Sequence, residues 1–249
     1  MWSLHRVAPS RLWSLVGLFA LLAGCTDEKV VFREPFNPPP DEAAGLLGYF
    51  TTTDKQTTCG NCHVTHQTDW ATTKHASAYA DLTASGGAQA SCFGCHTVTQ
   101  LGNSLTAASG WNTVQDTAYY DVQCESCHGP GADHVENPDG GPKPLASIAV
   151  SLDATNGCGE CHNGVHTPFV EEWSQSAHAV PEERVVTGDP VEEQQCTACH
   201  TAQGALAAWG VNTEYVEKGA ALPDQLGITC AVCHDPHGAA GNAGQLRFP

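Results

Sequence analysis

The stretch Cys124-Glu125-Ser126-Cys127-His128 holds two cysteines separated by two residues and followed at once by a histidine. Five other segments repeat this Cys-x-x-Cys-His pattern. The six copies begin at Cys59, Cys92, Cys124, Cys158, Cys196 and Cys230. This is the attachment pattern of a c-type haem, in which both thiols bond to the haem and the adjacent imidazole binds the iron. The sequence therefore predicts six covalently bound haem c groups.

The motifs assign a role to eighteen residues. The predicted covalent attachment residues are Cys59, Cys62, Cys92, Cys95, Cys124, Cys127, Cys158, Cys161, Cys196, Cys199, Cys230 and Cys233. The predicted proximal iron ligands are His63, His96, His128, His162, His200 and His234. Two other interpretations of the cysteines are weaker. Disulfide pairing gives no reason for a histidine after every second cysteine, and a structural zinc site normally has its histidine several residues from the thiols.

The N-terminal region predicts export and attachment to a membrane. Residues 1–24 combine basic residues with a short apolar segment, as in a signal peptide. That segment is too short to span a membrane. It ends in Leu22-Ala23-Gly24-Cys25, which resembles the bacterial lipobox, so Cys25 is the predicted lipidation site; the alternative is an ordinary cleaved signal. Residues 25–55 are predicted to form the anchor and a proline-rich stalk. The expected location is that of an exported bacterial lipoprotein, on the periplasmic side of a membrane or at the outer membrane or cell surface.

The chain is strongly acidic, with a net charge of −17. Such a surface repels nucleic acid, so we expect no nucleic-acid partner. The expected partners are redox proteins, an electron donor and an acceptor, together with the membrane through Cys25. The charge alone names neither redox protein.

The second half of the chain repeats the first. Trp70 and His75-Ala76 follow the first motif as Trp173 and His178-Ala179 follow the fourth. The later motifs correspond in the same order. We therefore predict two trihaem modules, at residues 56–145 and 146–249.

The length of the chain limits the fold. It is too short to enclose six haems in separate cores, so haems must supply much of the apolar interior. The predicted fold class is mainly α with extensive loops, with two modules packed around a chain of haems and very little β structure. We expect one longer helix near Asp69–Leu82 and its counterpart near Val170–Ala179.

The sixth ligand of each iron is constrained by the absence of methionine. The only methionine is Met1, within the predicted signal peptide, so no haem is expected to have His/Met ligation. Beyond the proximal ligands and His5, six histidines remain, as many as there are motifs. These distal candidates are His66, His75, His134, His166, His178 and His237. Bis-His ligation closes both faces of the haem and suits electron relay.

Several segments resemble the cytochrome c554 family, which is related to the multihaem hydroxylamine oxidoreductases and pentahaem nitrite reductases. They run from Trp70 to His75-Ala76, through Cys92-Phe93-Gly94-Cys95-His96, to Cys124–Gly131 and His134. The resemblance covers residues 59–138 well and 158–238 more loosely. It implies a helical, loop-rich fold with haems stacked in parallel and perpendicular pairs.

The resemblance also implies ligand assignments. By it, His75 binds the haem of Cys124 and Cys127, and His134 that of Cys59 and Cys62. The second module uses His178 and His237 similarly, although Asp235-Pro236-His237 departs from the Gly-Pro-Gly pattern. His66 and His166 remain for the haems at His96 and His200 or for a contact across modules. The resemblance further implies that the second haem of a module can be five-coordinate.

Three function classes follow from these observations. The preferred one is a membrane-tethered hexahaem electron carrier between a respiratory donor and a periplasmic or extracellular acceptor. The second is an oxidoreductase acting on a small nitrogen or sulphur compound at an open haem, with proton donors drawn from Arg184, Lys143 and Tyr119 or Tyr120. The third is a subunit of a haem filament or of an outer-membrane conduit. We assign no catalytic residues.

Overall fold

In the haem-attachment motifs that begin at Cys59 and Cys158, backbone hydrogen bonds close one tight helical turn. The amide of His63 donates to the carbonyl of Cys59 at 3.0 Å, and that of His162 to Cys158 at 3.0 Å. Residues i, i+3 and i+4 of a helix share one face. This spacing therefore brings both thiols and the imidazole to the same side of the turn, where one haem can bond to all three.

The computed structural model describes residues 38–150, 156–164, 166, 168–180, 189–222, 224–239 and 241–248. The predicted signal peptide, Cys25 and Arg184 lie outside these residues. Within them the α-helices, numbered in chain order, are α1 Val64–Trp70, α2 Ala78–Ala84, α3 Phe93–His96, α4 Trp111–Val114, α5 Cys124–His128, α6 Ala132–Glu136, α7 Phe169–Ser174, α8 Pro190–His200, α9 Ala202–Ala208 and α10 Cys230–Cys233. Short 3₁₀ helices span Asp41–Ala43, Cys59–Asn61, His75–Ser77, Ala90–Cys92, Thr117–Tyr119, Cys158–Glu160, Ala177–Ala179 and Ala243–Gln245.

The described residues form one β-sheet, which is two-stranded and antiparallel, and two isolated β-bridges. Strand β1 is Tyr49–Thr51 and strand β2 is Gln56–Thr57; Tyr49 lies opposite Thr57 and Thr51 opposite Gln56. The predicted fold class, mainly helical with long connections and very little β structure, is confirmed. None of the described helices is long and apolar enough to cross a membrane.

The longer helices expected from the sequence are interrupted. The region near Asp69–Leu82 forms α1 and α2 with a 3₁₀ turn between them. At the break, the hydroxyls of Thr72 and Thr73 donate to the carbonyls of Asp69 and Trp70, each at 2.7 Å. Such side-chain bonds compete with helix continuation. In the counterpart region Ser176 donates to the carbonyl of Trp173 at 2.7 Å, and α7 ends at Ser174.

The segment 41–55, assigned by the sequence to a stalk, packs instead on the folded domain. Ala43 and Leu46 are completely buried, in a cluster with Val98 and Tyr119. A hydrogen bond adds to this apolar packing: the Tyr119 hydroxyl donates to the backbone carbonyl of Leu46 at 3.0 Å. The apolar side chains of this segment find a core to bury them, so the segment does not extend freely.

Three apolar clusters form the core of the described residues. Two come from residues 38–145, around Leu46 and around Trp70. The third comes from residues 146–249, and its buried members are Ile148, Ala202, Ala205, Leu206, Tyr215 and Val232. No cluster mixes residues from the two predicted modules, although the module boundaries stay a prediction.

The two halves of the chain repeat a specific set of contacts. The Trp70 indole donates to the carbonyl of Val122 at 2.9 Å, and the amide of Val122 donates to the carbonyl of His75 at 3.1 Å. The Trp173 indole donates to Ile228 at 2.7 Å, and the amide of Ile228 donates to His178 at 2.9 Å. Val122 and Ile228 each lie two residues before a motif, so the repeat visible in the sequence is also a repeat of hydrogen bonds.

Candidate haem-binding sites

Four pairs of imidazoles face each other at a separation that suits one metal ion between them. Two imidazoles that bind a metal from opposite sides, through bonds of about 2 Å each, have ring centres roughly 6 Å apart. The four ring-centre distances are 6.5 Å for His63 and His134, 6.1 Å for His75 and His162, 6.2 Å for His96 and His166, and 6.0 Å for His128 and His237. Each pair combines one predicted proximal ligand with one distal candidate.

His66 is close to other imidazoles in a different way. Its ring centre lies 6.4 Å from that of His63 and 4.7 Å from that of His237. His63 and His66 are only three residues apart in the chain, at the N-terminal end of α1, and His63 also faces His134. The distance to His237 is shorter than a metal between opposed rings requires.

The remaining histidines lie apart from the four pairs. His178 is exposed in the 3₁₀ helix Ala177–Ala179, and His200 and His234 are exposed at the ends of α8 and α10. Among the described residues, no imidazole faces any of these three at up to 6.5 Å.

The observed pairs differ in part from those that the resemblance implies. His134 lies against His63 and His166 against His96, both within the implied assignments. His75, however, faces His162 and not His128. His237 faces His128 and not His162. The fold brings residues 56–145 against the fourth and sixth motifs, so these imidazoles meet partners from the other half of the chain. Iron ligation by each of them stays a prediction.

Backbone carbonyls orient three of the predicted proximal imidazoles. His96 Nδ1 lies 2.9 Å from the Ala78 oxygen and His128 Nδ1 2.9 Å from the Pro144 oxygen. His234 Nδ1 bonds to the carbonyl of Gly244. A carbonyl only accepts, so Nδ1 donates the hydrogen and the lone pair is left on Nε2. Metal-binding histidines commonly use this arrangement, which fixes the ring and its tautomer.

Burial keeps several of these imidazoles in the neutral form that binds metals. It lowers the pKa of His75 to about 4, with a smaller contribution from the facing His162. Burial also lowers the pKa of His162 and of His128. A neutral imidazole has a lone pair available, whereas a protonated one has none.

Other features of the described residues also fit haem. His134 Nδ1 is buried and has no hydrogen-bond partner in the described part of the chain. The largest side chains with under 2% exposure are Leu46 and four valines, so the protein core itself is small. Donor set, ring spacing and small core all agree with bound haem.

The geometry after the third motif explains its glycine. Gly129 follows His128 with φ of 78° and ends α5. This left-handed backbone is strained for residues with a Cβ. The chain can therefore turn sharply after the proximal histidine and enter α6, which carries His134.

Thiols of different motifs lie next to one another. Cys59 of the first motif lies beside Cys124 of the third. Cys95 of the second motif lies beside Cys161 of the fourth, and Cys158 of the fourth lies beside Cys230 of the sixth.

A further contact connects the halves of the chain. Cys127 of the third motif lies near Cys158 and Cys161 of the fourth. The contacts between thiols therefore run from the first motif to the third, from the third to the fourth, and from the fourth to the second and the sixth.

Sequence reasoning missed the groups that orient these sites. The carbonyls of Ala78, Pro144 and Gly244 carry no side-chain signal, so no pattern could have found them. Glu160 is another case: its carboxylate accepts from the amide of Gly102 and joins the fourth motif to residues of the first half. In the sequence, only the position of Glu160 inside a Cys-x-x-Cys-His motif indicated that this residue could have a role in the site.

Comparison with known proteins agrees with this chemistry. Residues 58–129 match the family described as cytochrome c554 and c-prime. The chain is 31% identical over 167 residues to the C-type polyheme cytochrome OmcC of Geobacter sulfurreducens, a match that covers 60% of this chain and 20% of OmcC. It is 32% identical over 136 residues to the multiheme cytochrome MtrA of Shewanella baltica, covering 47% of this chain and 36% of MtrA.

Among solved structures, the chain is similar to the outer cell wall cytochrome OcwA, with 24% identity and a TM-score of 0.37; the match covers 64% of this chain and 41% of OcwA. The chain spans only 20% to 36% of the length of OmcC and MtrA. The family match and these relatives, together with the motifs, show that the chain is a multihaem c-type cytochrome that binds haem c covalently.

Proposed function

We propose that this protein is an exported, membrane-tethered cytochrome with six haems that relays single electrons between a respiratory donor and a periplasmic or extracellular acceptor. Haem iron supplies a one-electron couple whose potential depends on its axial ligands, hydrogen bonds and burial. The residues of the chain hold these groups, orient them and limit access to them.

The observation that carries the proposal is the series of contacts between motifs. Cysteines of the first and third motifs lie beside one another, as do those of the second and fourth and those of the fourth and sixth. Cys127 links the third motif to the fourth. Residues that attach five of the six predicted haems are thus neighbours, which is the arrangement that transfer of electrons from one haem to the next requires.

The imidazole pairs support relay over bond-making chemistry. A predicted proximal and a predicted distal imidazole face each other in four sites, so both sides of each of those haems would be closed to substrate. Two of the tyrosines considered as proton donors are occupied in packing: Tyr119 is buried and bonds to Leu46, and the ring of Tyr120 stacks on that of Tyr79 at 3.6 Å.

Membrane tethering and export rest on the sequence of residues 1–25. The lipobox resemblance at Leu22–Cys25 and the extracytoplasmic assembly of c-type haem both support this part of the proposal. Intact mass of the protein purified from membranes tests it together with the haem count. We expect an N-terminal acylated Cys25 and the mass of six haems; an unmodified Cys25 or another haem number would contradict that part.

Electron relay is tested separately, by redox titration and rapid mixing. We expect every haem to be reduced by a small-molecule reductant and reoxidised by a soluble one-electron acceptor without turnover of nitrite, hydroxylamine or tetrathionate. Steady turnover of any of these compounds by the purified protein would overturn the carrier function and favour the oxidoreductase.

A further inference from the structure

The turn after the sixth motif places a carboxylate beside a predicted distal ligand. In the turn Asp235-Pro236-His237-Gly238, the amide of Gly238 donates to the carbonyl of Asp235 at 3.0 Å. Asp, Pro and Gly at the first, second and fourth positions suit a type I turn. The Asp235 carboxylate also accepts from the His237 amide at 3.0 Å, which fixes the side chain within the turn. The sequence of the turn therefore holds the Asp235 carboxylate next to His237.

The imidazole of His237 bonds to the same carboxylate. Its Nδ1 lies 3.2 Å from Asp235 Oδ1. An ionised carboxylate only accepts, so Nδ1 donates the hydrogen and the lone pair is left on Nε2. The ring centre of His237 lies 6.0 Å from that of His128, whose Nδ1 bonds to the neutral carbonyl of Pro144. Both imidazoles of this pair are therefore oriented, one by a carbonyl and the other by a charged group.

Arg247 holds the carboxylate from its other oxygen. Its Nη1 lies 2.8 Å from Asp235 Oδ2. Its Nε donates to the carbonyl of Ala231 at 2.9 Å, and its backbone amide donates to that of Cys233 at 2.8 Å. The side chains of Arg247 and Asp235 are 15% and 26% exposed, so salt screens this ion pair less than one at the surface. The carboxylate thus connects the imidazole to a cation that is anchored on the sixth motif.

This carboxylate is a departure from the repeat of the two halves. His128 of the third motif is followed by Gly129, whereas His234 of the sixth is followed by Asp235. The distal candidate after Gly129 is His134, whose buried Nδ1 has no hydrogen-bond partner in the described part of the chain. Among the hydrogen bonds of the described residues, the one at Asp235 alone joins a carboxylate to the ring of a distal candidate.

A carboxylate partner makes a metal-binding imidazole a more basic ligand. A more basic ligand favours ferric over ferrous iron, because ferric iron carries the greater charge, and so it lowers the potential of a haem. Hydrogen bonds around the axial ligands are among the means by which a protein sets that potential.

We propose that Asp235 is a positioning residue that acts through His237 to lower the potential of the haem of the third motif, and that Arg247 limits this effect by bonding to the same carboxylate. The inference rests on the proposed ligation of this haem by His128 and His237. The potential of the haem is measured independently of electron relay, so the two can fail separately.

The position of the third motif gives this effect a role in relay. Cys124 lies beside Cys59 of the first motif, and Cys127 lies near Cys158 of the fourth. An electron that moves between the first and fourth haems along these contacts passes the third. A lower potential there makes transfer onto this haem less favourable and transfer from it more favourable. Asp235 thereby influences the passage of electrons between the halves of the chain.

The test measures haem potentials by redox titration and low-spin ferric signals by electron paramagnetic resonance, on the assembled holoprotein. Asp235→Asn keeps the shape of the side chain and removes its charge. We expect the ferric-to-ferrous equilibrium of one haem to shift about tenfold towards ferrous, a rise of about 59 mV, and one low-spin signal to change. Asp224→Asn removes the same charge at an exposed position and should change neither. An unchanged potential in Asp235→Asn overturns the proposal.

The variant His237→Ala shows whether the effect passes through the ligand. In this background Asp235→Asn should lose most of its effect on the potential, because the imidazole that carries it is absent. An equal shift in both backgrounds overturns the proposal, since the charge would then act through space or on the haem of His234. A His237→Ala protein with the resonance spectrum of the wild type overturns the ligation itself.

Arg247→Gln decides the matter if Asp235→Asn does not assemble with all its haems, which intact mass reveals. This variant removes the cation from the Asp235 carboxylate, so the potential of the same haem should fall, opposite in sign to the effect of Asp235→Asn. A rise, or no change, in a fully loaded Arg247→Gln protein overturns the proposal.

Discussion

The amide of Gly48 donates a hydrogen bond of 2.7 Å to the buried carboxylate of Glu125, which lies inside the third haem-attachment motif. Leu47 and Gly131 donate to the same carboxylate at 2.8 and 2.9 Å. One acidic side chain thereby attaches the segment before the first motif to the third motif. This contact is one reason why residues 41–55 pack on the domain and do not form a stalk.

Glu125 makes the stability of the protein depend on pH. Burial raises its pKa to about 7, against the opposing effect of the three amide donors. Between the ordinary carboxyl pKa of about 4.5 and 7, the folded protein holds a proton that the unfolded chain has lost. Protonation of Glu125 therefore stabilises the folded protein by on the order of 3 kcal/mol. This stabilisation is complete below about pH 4.5 and is lost as the pH rises to 7.

Chemical unfolding of the holoprotein at several pH values measures this dependence. Glu125→Gln should remove most of the slope in that window, and it should be less stable at pH 5 because its amide group would face backbone donors. Glu136→Gln, at an exposed position, should keep the slope. A wild type whose stability does not change between pH 4.5 and 7 would show that the Glu125 pKa is not raised.

The two tryptophans of the repeat should each contribute to stability through one bond. Trp70 is 5% exposed, and its indole bonds to the Val122 carbonyl. Trp70→Phe leaves that carbonyl without its partner and should lower the free energy of unfolding by about 1 to 3 kcal/mol. Trp173→Phe should act similarly at Ile228. Trp209→Phe is the matched control, since Trp209 is 44% exposed. Equal effects of all three substitutions would argue against the bonds.

The imidazole pairs predict which histidine substitutions change the spin state of a dilute, monomeric protein. His166→Ala removes the ring that faces His96 at 6.2 Å, so one haem should become high-spin while all haems stay attached. His66→Ala should leave the number of low-spin haems unchanged under these conditions, because His66 faces no motif from the opposite side. Paramagnetic resonance and intact mass measure both. If His66→Ala and not His166→Ala produces the new high-spin signal, the pair is assigned wrongly.

Asp121 is a buried carboxylate, and its ion pair with the partly exposed Lys55 should matter more than a fully exposed pair. Its carboxylate lies 2.8 Å from Lys55 Nζ, and it accepts from the Tyr49 hydroxyl at 2.8 Å and from the Tyr79 amide at 2.9 Å. Asp121→Asn keeps a residue that tolerates its positive φ of 66° but weakens these charged bonds. We expect a loss of about 2 to 4 kcal/mol.

The exposed pair of Lys74 and Asp81 supplies the comparison. These side chains are 93% and 55% exposed, so Asp81→Asn should change stability little. Thermal unfolding of the two variants under identical conditions measures the difference. A small effect of Asp121→Asn would mean that water or another group replaces its partners at low cost.

Sequence reasoning reached the chemistry of this protein because that chemistry is local. Cys-x-x-Cys-His places two thiols and an imidazole on one face of a single helical turn, and this depends on residues i, i+3 and i+4 alone. The repeat of Trp70 and His75 in Trp173 and His178 was also visible from spacing. The helix expected near Asp69–Leu82 was wrong as one element, because hydroxyl groups of two threonines bond to the carbonyls that a continuing helix would need.

The sequence by itself determined that the chain holds covalent haem and that the second half repeats the first, and it predicts that methionine ligates none of the motif haems. Only the tertiary structure decided that His75 faces His162, that His237 faces His128, and that Glu125 binds residues 47 and 48. Opposed imidazoles meet from segments far apart in the chain. Their distances depend on how the two halves of the chain pack, which spacing along the sequence does not specify.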